Sequence, residues 1–420
     1  MTDLLEEEQA INDRGQATVS SPPASALAHL REDSPAASRL PSRAAGGQTM
    51  PSALMIGATP PPYHGSIMMF EALMESPLRE QFRLIRLDIS DHRDLENIGR
   101  LDLENVRLGV RHALACYRTL KREQPEIVYV PVAMNPLAFF RDSLFLHLAR
   151  AHGRRLVVHA HGGYFGEFYR TAPAPLRAYI RRSLRGVDAA VVHGEALRMM
   201  FDGLLPLERV WPVPNGIEGI PEHLRAPTRP DRTPTVLYLG SLMETKGFLD
   251  AMAAAALVAR EVPGARFVIA GAYVQPTDRE KAGRLLQDPG IRAVVELPGV
   301  VSGDARFQLM INADVFVFPS YYPIEGQPVV LLEAMSAGLP VVTTDQGAIR
   351  DTIVDGQTGY LVPKRDPAAI ARRVVELLRD EPLRQRMGAA GRRRFEERYR
   401  IESYGLGMAR VFEAVFSEEL

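Results

Sequence analysis

Short apolar runs alternate along this chain with longer segments whose apolar positions recur every three to four residues. Ala53-Leu54-Met55-Ile56, Ile127–Val132 and Val236-Leu237-Tyr238-Leu239 are too short for helices and are bounded by Gly, Pro or polar residues, so they predict buried strands. Phe82–Ile89, Arg155–His161, Ala189–His193, Val210–Val213, Arg266–Ala270 and Val294–Val300 read the same way. The segments between and after them have helical periodicity, at about Leu103–Arg122, Pro136–Ala151, Pro175–Leu184, Asp304–Asn312, Pro367–Arg379, Leu383–Tyr399 and Ile401–Phe416. Strand alternating with helix predicts parallel, doubly wound sheets. Such sheets take ligands at the carboxyl ends of their strands.

One unit stands out. Val315 and Val317 open a buried strand that runs through Pro319-Ser320 into the loop Tyr321–Gln327. Pro328 suits the first turn of a helix carrying Val329 to Ala337, Gly338 stops it, and Pro340 begins another strand. Two carboxylates sit eight residues apart in this unit: Glu325 before the helix and Glu333 within it, about 7–8 Å past Pro328 along the axis. Between them the helix end offers amides at Gly326 and Gln327, and a helix N-terminus attracts phosphate. One crevice could thus hold an anion at the amides and a polyhydroxyl group at each acid. A sugar nucleotide has that shape. On these residues alone a second reading stands, with Glu333 the polar stripe of a buried helix and Glu325 an ordinary loop acid.

Composition narrows the field. The chain has 420 residues, 46% hydrophobic and 24% charged, enough for two globular domains. A net charge of −1 exerts no overall pull on nucleic acid. The single cysteine, Cys116, excludes an internal disulfide, fits a reducing compartment and reads as a packed thiol. No apolar run approaches the ~20 residues of a membrane span, and the acidic N-terminus has no secretory pattern. The expected location is cytoplasmic, with peripheral contact at the inner face of the membrane as a further option. Residues 1–51, rich in Ser, Ala, Pro and Gly, predict a disordered extension, and Met50 is an alternative start just before the first strand.

Glu325-Gly326-Gln327-Pro328, Glu333-Ala334-Met335, Gly338-Leu339-Pro340-Val341-Val342 and Gly356-Gln357-Thr358-Gly359 resemble the Glu-x7-Glu region of family 4 glycosyltransferases. The resemblance covers roughly residues 53–416, closely in the second half and loosely in the first. It implies the α/β GT-B fold, two Rossmann-like doubly wound parallel-sheet domains with an interdomain cleft. The implied organisation is an acceptor domain at 52–220, a Pro- and Arg-rich linker at 221–234, a nucleotide-sugar domain at 235–400, and a C-terminal helix at 401–420 crossing back to the first domain. The implied activity is retaining, metal-independent transfer of a hexose from a nucleotide-diphosphate sugar, of UDP or GDP type, to a glycan or lipid-linked acceptor in cell-surface glycan synthesis. No cofactor and no metal are expected, since no DxD pair, HExxH or Cys cluster occurs.

The resemblance also assigns roles. Glu325 would hold sugar hydroxyls, Glu333 the ribose, and Lys246 with the amides of Gly326, Gln327, Val329 and Val330 the diphosphate. His161, followed by Gly162-Gly163 at a strand end, would orient the sugar from the other domain, while His159 reads as structural. Gly65, Gly240, Ser241 and Gly299 would complete the donor site. Ser241 departs from the Arg common at its position, so leaving-group charge would rest more on Lys246. Gly347–Asp351 resembles the family's Gly-Gly-Ile-Pro-Glu turn, with Asp for Glu. Arg177, Arg181, Arg182 and Arg185 form a basic stripe, either a solvated face or a contact for anionic lipid. Two rival readings keep the fold without this activity: a sugar-nucleotide epimerase, and a non-catalytic partner of another transferase.

Overall fold

The computed structural model of the chain describes residues 50–60, 65–90, 103–224 and 233–417. Residues 1–49 of the predicted extension, the loop prolines at 61 and 62, and most of the predicted linker lie outside them.

Two six-stranded sheets organise the molecule. The first comprises β1 (Ser52–Gly57), β2 (Arg83–Asp88), β3 (Ile127–Pro131), β4 (Arg155–His159), β5 (Ala189–Val192) and β6 (Val210–Pro212), in the order β2-β1-β3-β4-β5-β6. The second comprises β7 (Thr235–Leu239), β8 (Arg266–Ala270), β9 (Val295–Gly299), β10 (Val315–Phe318), β11 (Val341–Thr343) and β12 (Gly359–Leu361), in the order β12-β11-β10-β7-β8-β9. The strand pairs are parallel throughout both sheets. Central strands such as Val315–Phe318 and Ala189–Val192 are buried along their whole length, as expected of strands covered by helices on both faces. Strand order reverses between β1 and β3 in the first sheet and between β7 and β10 in the second. Those two switch points are where open α/β sheets leave a crevice.

Eight helices frame the site and its surroundings: α1 (Gly65–Glu75), α2 (Leu103–Glu123), α3 (Pro136–Ala151), α4 (Ala174–Leu184), α5 (Phe248–Glu261), α6 (Gly303–Ile311), α7 (Val329–Ser336) and α8 (Ile401–Ser417). One face of the first sheet is covered by α2, α3 and α4, through Cys116, Leu120, Phe139, Phe145, Ile180 and Leu184. Cys116 is a packed thiol there, its pKa pushed up to about 12 by burial. The other face carries α1 and α8. The α8 side chains Tyr404, Met408 and Phe412 pack with Ala53, Met55 and Phe82, and the Phe82 and Phe412 rings meet edge to face with centroids 5.4 Å apart. The chain therefore finishes on the first sheet after building the second.

Pro328 corrects one expectation. Its ψ of 119° is extended, so it caps α7 from outside and helical geometry starts at Val329. Gly338, with φ +76°, ends α7 as the left-handed residue such a stop requires. Leu331, Leu332, Ala334 and Met335 are fully buried, and Glu333 is buried with them. The helix is apolar nearly all round because it lies inside the second half, not on its surface.

Candidate functional site

A cleft of about 600 Å³ lies between the two halves, lined by the ends of β1, β3, β7 and β10 and by the loop entering α7. Of the twelve predicted site residues, the structure brings ten to its wall: Gly65, His161, Gly240, Ser241, Lys246, Glu325, Gly326, Gln327, Val329 and Val330. Glu333 and Gly299 are not on that wall.

The loop from Ser320 to Gln327 is built to aim Glu325. The Ser320 hydroxyl donates to Glu325 Oε2 at 2.7 Å, and the Glu325 amide donates to the Tyr322 carbonyl at 3.0 Å. Lys246 Nζ donates to both carboxylate oxygens, at 3.0 and 2.8 Å, and lies 4.7 Å from the centre of the Tyr322 ring. Lys246 and Glu325 side chains are only 18% and 7% exposed, so each charge is neutralised chiefly by the other. The pair is poised for exchange. An incoming phosphate offers Lys246 a stronger anion, and hydroxyl groups offer Glu325 hydrogen-bond donors in its place.

Next to this pair the backbone is open. No hydrogen bond within the described residues engages the amides of Gly326 and Gln327. They precede Pro328, the residue that caps α7, so the helix supplies no acceptor for them. Gly326 is required here, because a Cβ would lie 2.5 Å from the His161 carbonyl oxygen. The same close approach recurs at Gly163, whose amide donates to the Ile324 carbonyl at 3.0 Å. The α7 entry loop and the loop after β4 therefore touch backbone to backbone across the cleft.

Gln327 faces the cleft, but its side chain is spent on structure. Its Oε1 accepts from the Asn215 amide at 2.7 Å and its Nε2 donates to Thr352 Oγ1 at 2.9 Å, tying the first half to the second. Asp351, in the turn flagged by sequence, accepts from the Ala196 amide of the first half at 2.8 Å and makes a second such tie.

His161 lies on the opposite wall in a ring cluster. Its ring stacks on His159 with centroids 4.1 Å apart and lies 5.3 Å from His193. His159 Nδ1 sits 2.8 Å from the Tyr129 hydroxyl, which is the structural bond expected of it. Burial keeps all three rings neutral: His159 well below its usual pKa, His161 at about 3 and His193 at about 4. Their nitrogens are close enough to suggest metal ligation. The His159 and His161 rings stack with their planes 28° apart, and His159 Nε2, His161 Nδ1 and His193 Nδ1 are buried without a hydrogen-bond partner among the described residues.

Several residues escaped the sequence reading. Arg306 of α6 pairs with Glu333 at 2.9 Å; burial pushes the Glu333 carboxyl up and the guanidinium partly offsets this. Asp142, 1% exposed, pairs with Arg141 at 2.8 Å and accepts from the Ala133 amide at 2.9 Å, and both side chains line the cleft. An acid–base pair inside the apolar run Phe139–Leu146 was a usable signal for them. The Arg306–Glu333 contact left none, because it joins separate elements.

Comparison with known proteins adds an independent line. A family model described as "Glycosyl transferases group 1" matches residues 220–394, and one described as "Glycosyltransferase Family 4" matches residues 78–218. Among curated relatives, glycogen synthase of Mycobacterium tuberculosis is 32% identical over 191 residues, 44% of each chain. Phosphatidyl-myo-inositol mannosyltransferase of Mycobacterium leprae is 35% identical over 184 residues, 43% of this chain and 46% of that one. The chain thus spans less than half the length of these two relatives. Sucrose-phosphate synthase from Thermosynechococcus elongatus superposes with a TM-score of 0.67 at 18% identity, covering 88% of this chain and 100% of that one. Anabaena HepE, solved with UDP-glucose, gives 0.67 at 16% identity over 86% and 99%. At such identities the superpositions establish the fold.

Proposed function

The chain belongs to the family 4 glycosyltransferases and has their GT-B fold, and from that premise we propose that it transfers a hexose from a UDP- or GDP-sugar to a glycan or lipid-linked acceptor with retention at the anomeric carbon. The observation that carries the reading is the Lys246–Glu325 pair beside the open amides of Gly326 and Gln327, facing His161 across the cleft. In the reaction the bond from the anomeric carbon to the diphosphate oxygen breaks while the acceptor oxygen bonds to that carbon on the same face. The departing phosphate oxygen takes the acceptor's proton.

Negative charge grows on the diphosphate as the bond breaks, and Lys246 with the α7 amides would meet it there. Glu325, released from Lys246, would bind sugar hydroxyls. Glu333 would reach the ribose by sharing its second oxygen while keeping Arg306. Neutral His161 would contact the sugar from the first half as a hydrogen-bonding group and not as a cation. A lysine and aligned amides already supply the positive charge that leaving-group stabilisation needs, so the reading includes neither metal nor cofactor. It includes a cytoplasmic location.

A panel of UDP-, GDP- and ADP-sugars tested for thermal stabilisation would identify the donor. A rise in melting temperature with one base, and none with sugars lacking the nucleotide, is expected. Stabilisation by no member of the panel would contradict the reading.

A further inference from the structure

The cleft carries an acid–base pair on each wall. On the second half it is Glu325 with Lys246, placed at the donor. On the first half it is Asp142 with Arg141, which the donor does not use. Asp142 stands in α3 among the buried side chains of Phe139, Phe145, Leu146 and Ala149, and is itself 1% exposed. Its Oδ2 accepts from the Ala133 amide at 2.9 Å, and its Oδ1 accepts from Arg141 Nε at 2.9 Å and from Nη2 at 2.8 Å. The carboxylate is fully employed. The guanidinium is not. Its side chain is 40% exposed on the cleft wall, and only the edge formed by Nε and Nη2 is spent on Asp142. The end-on edge, Nη1 with the second Nη2 hydrogen, has no hydrogen bond among the described residues.

Stability does not account for the pair. Burying two charges costs desolvation, and apolar side chains of like volume commonly serve a core as well or better. What the pair achieves is direction. Asp142, tied to the backbone of the loop after β3, holds the end of a flexible side chain in one place. Around it the first-half wall is apolar, with Ile67, Met69, Phe70, Val132 and Met134, and no other Lys or Arg of that half lines the cleft among the described residues.

We infer that Arg141 binds an anionic group of the acceptor, a phosphate or a carboxylate, through its free end-on edge. A guanidinium only donates, and its planar fork matches two oxygens of one anion, where a hydroxyl would engage one arm. The apolar wall around it lowers the local dielectric and strengthens the contact. The donor's phosphates have Lys246 and the α7 amides on the second half, which leaves this fork to the other substrate. The inference rests on the transfer reading and deepens it: a phosphate marks a lipid-phosphate acceptor, a carboxylate an acidic glycan.

Titration calorimetry with octyl phosphate, octyl glucuronide and uncharged octyl glucoside, each below its micelle concentration, tests this. UDP and GDP are present throughout to fill the Lys246 side of the cleft. Wild type is expected to bind at least one anionic probe about tenfold or more tighter than the glucoside. Preference for octyl phosphate identifies the lipid-phosphate class, and preference for the glucuronide the acidic glycan. Arg141→Gln/Asp142→Asn removes both charges and strands neither, and should cut the preference about 10- to 100-fold, the scale of a hydrogen bond to a charged group. Arg141→Lys leaves Asp142 its cation but lacks the fork, and should lose most of the preference with a melting temperature near wild type. UDP and GDP alone should bind both variants as they bind wild type. Equal binding of the glucoside and the anions by wild type overturns the inference, as does a preference that survives in both variants. A loss of nucleotide affinity along with the anion overturns it too, by assigning Arg141 to the donor. Failure of the transfer reading shows separately, as no nucleotide sugar stabilising the wild type however the probes bind.

Discussion

The two halves of the cleft are built from different materials. The second half brings charge and open backbone: Lys246, Glu325 and the amides entering α7, all within one strand–loop–helix unit and the turn after β7. The first half brings mostly apolar surface, with Ile67, Met69, Phe70, Val132 and Met134 around one buried charge pair and a neutral histidine cluster. A donor whose diphosphate must be stabilised needs fixed charge, and this side has it. The opposite side shapes and excludes water, work that many apolar sequences can do. The contrast explains why the chemistry reads clearly from one half and the acceptor does not read from the other.

Breaking each half separately sharpens the comparison. The largest effect is expected at Phe412, fully buried where α8 closes the first half. Phe412→Ala should cost about 3–5 kcal/mol, seen in denaturant unfolding as an early loss of the first half. Lys246→Ala should lower stability, because it leaves the buried Glu325 carboxylate without its cation, and should lower turnover about 10²-fold or more, the scale of one lost charge-stabilising donor. Wild-type rates in that variant would remove Lys246 from the mechanism.

A pH-dependent effect belongs to the first half alone. His159, His161 and His193 are neutral when folded, with pKa values held below the unfolded 6.5 by burial. Below pH 6.5 the unfolded chain binds protons that the folded chain refuses, so stability falls as pH drops from about 6.5 toward 4. Each ring contributes a slope of up to ~1.4 kcal/mol per pH unit in that window. Melting temperatures measured between pH 7 and 5 should fall, and His193→Gln should flatten the slope. The smallest effect is expected for Arg306→Gln, which frees Glu333: donor affinity should change by less than tenfold while turnover at saturation stays near wild type.

What the sequence disclosed follows the same division. Glu325, Glu333, Lys246 and the α7 amides were legible because strand, loop and helix signals set their positions locally. The sheets were legible because buried parallel strands are continuous apolar runs. The Lys246–Glu325 pairing was not, since the two stand 79 residues apart and only folding joins them. The same holds for Arg306 with Glu333, for Asn215 with Gln327, and for His193 beside His161. The helix Phe165–Thr171 was missed because seven residues carry too few turns for a periodicity to emerge. Pro328 was placed one position too far in, since proline's fixed φ suits both a cap and a first turn. Glu333 and Gly299 stand off the cleft wall, a depth that local pattern does not register.

The central claim is that the second half grips a sugar nucleotide at two points, diphosphate at Lys246 and sugar at Glu325. Isothermal titration of the free nucleoside diphosphate and of the whole sugar nucleotide into Lys246→Met and Glu325→Gln tests it directly. The account predicts that Lys246→Met weakens both ligands alike, whereas Glu325→Gln weakens only the one that carries sugar. Equal losses for both ligands in Glu325→Gln, or no loss in either variant, would contradict it.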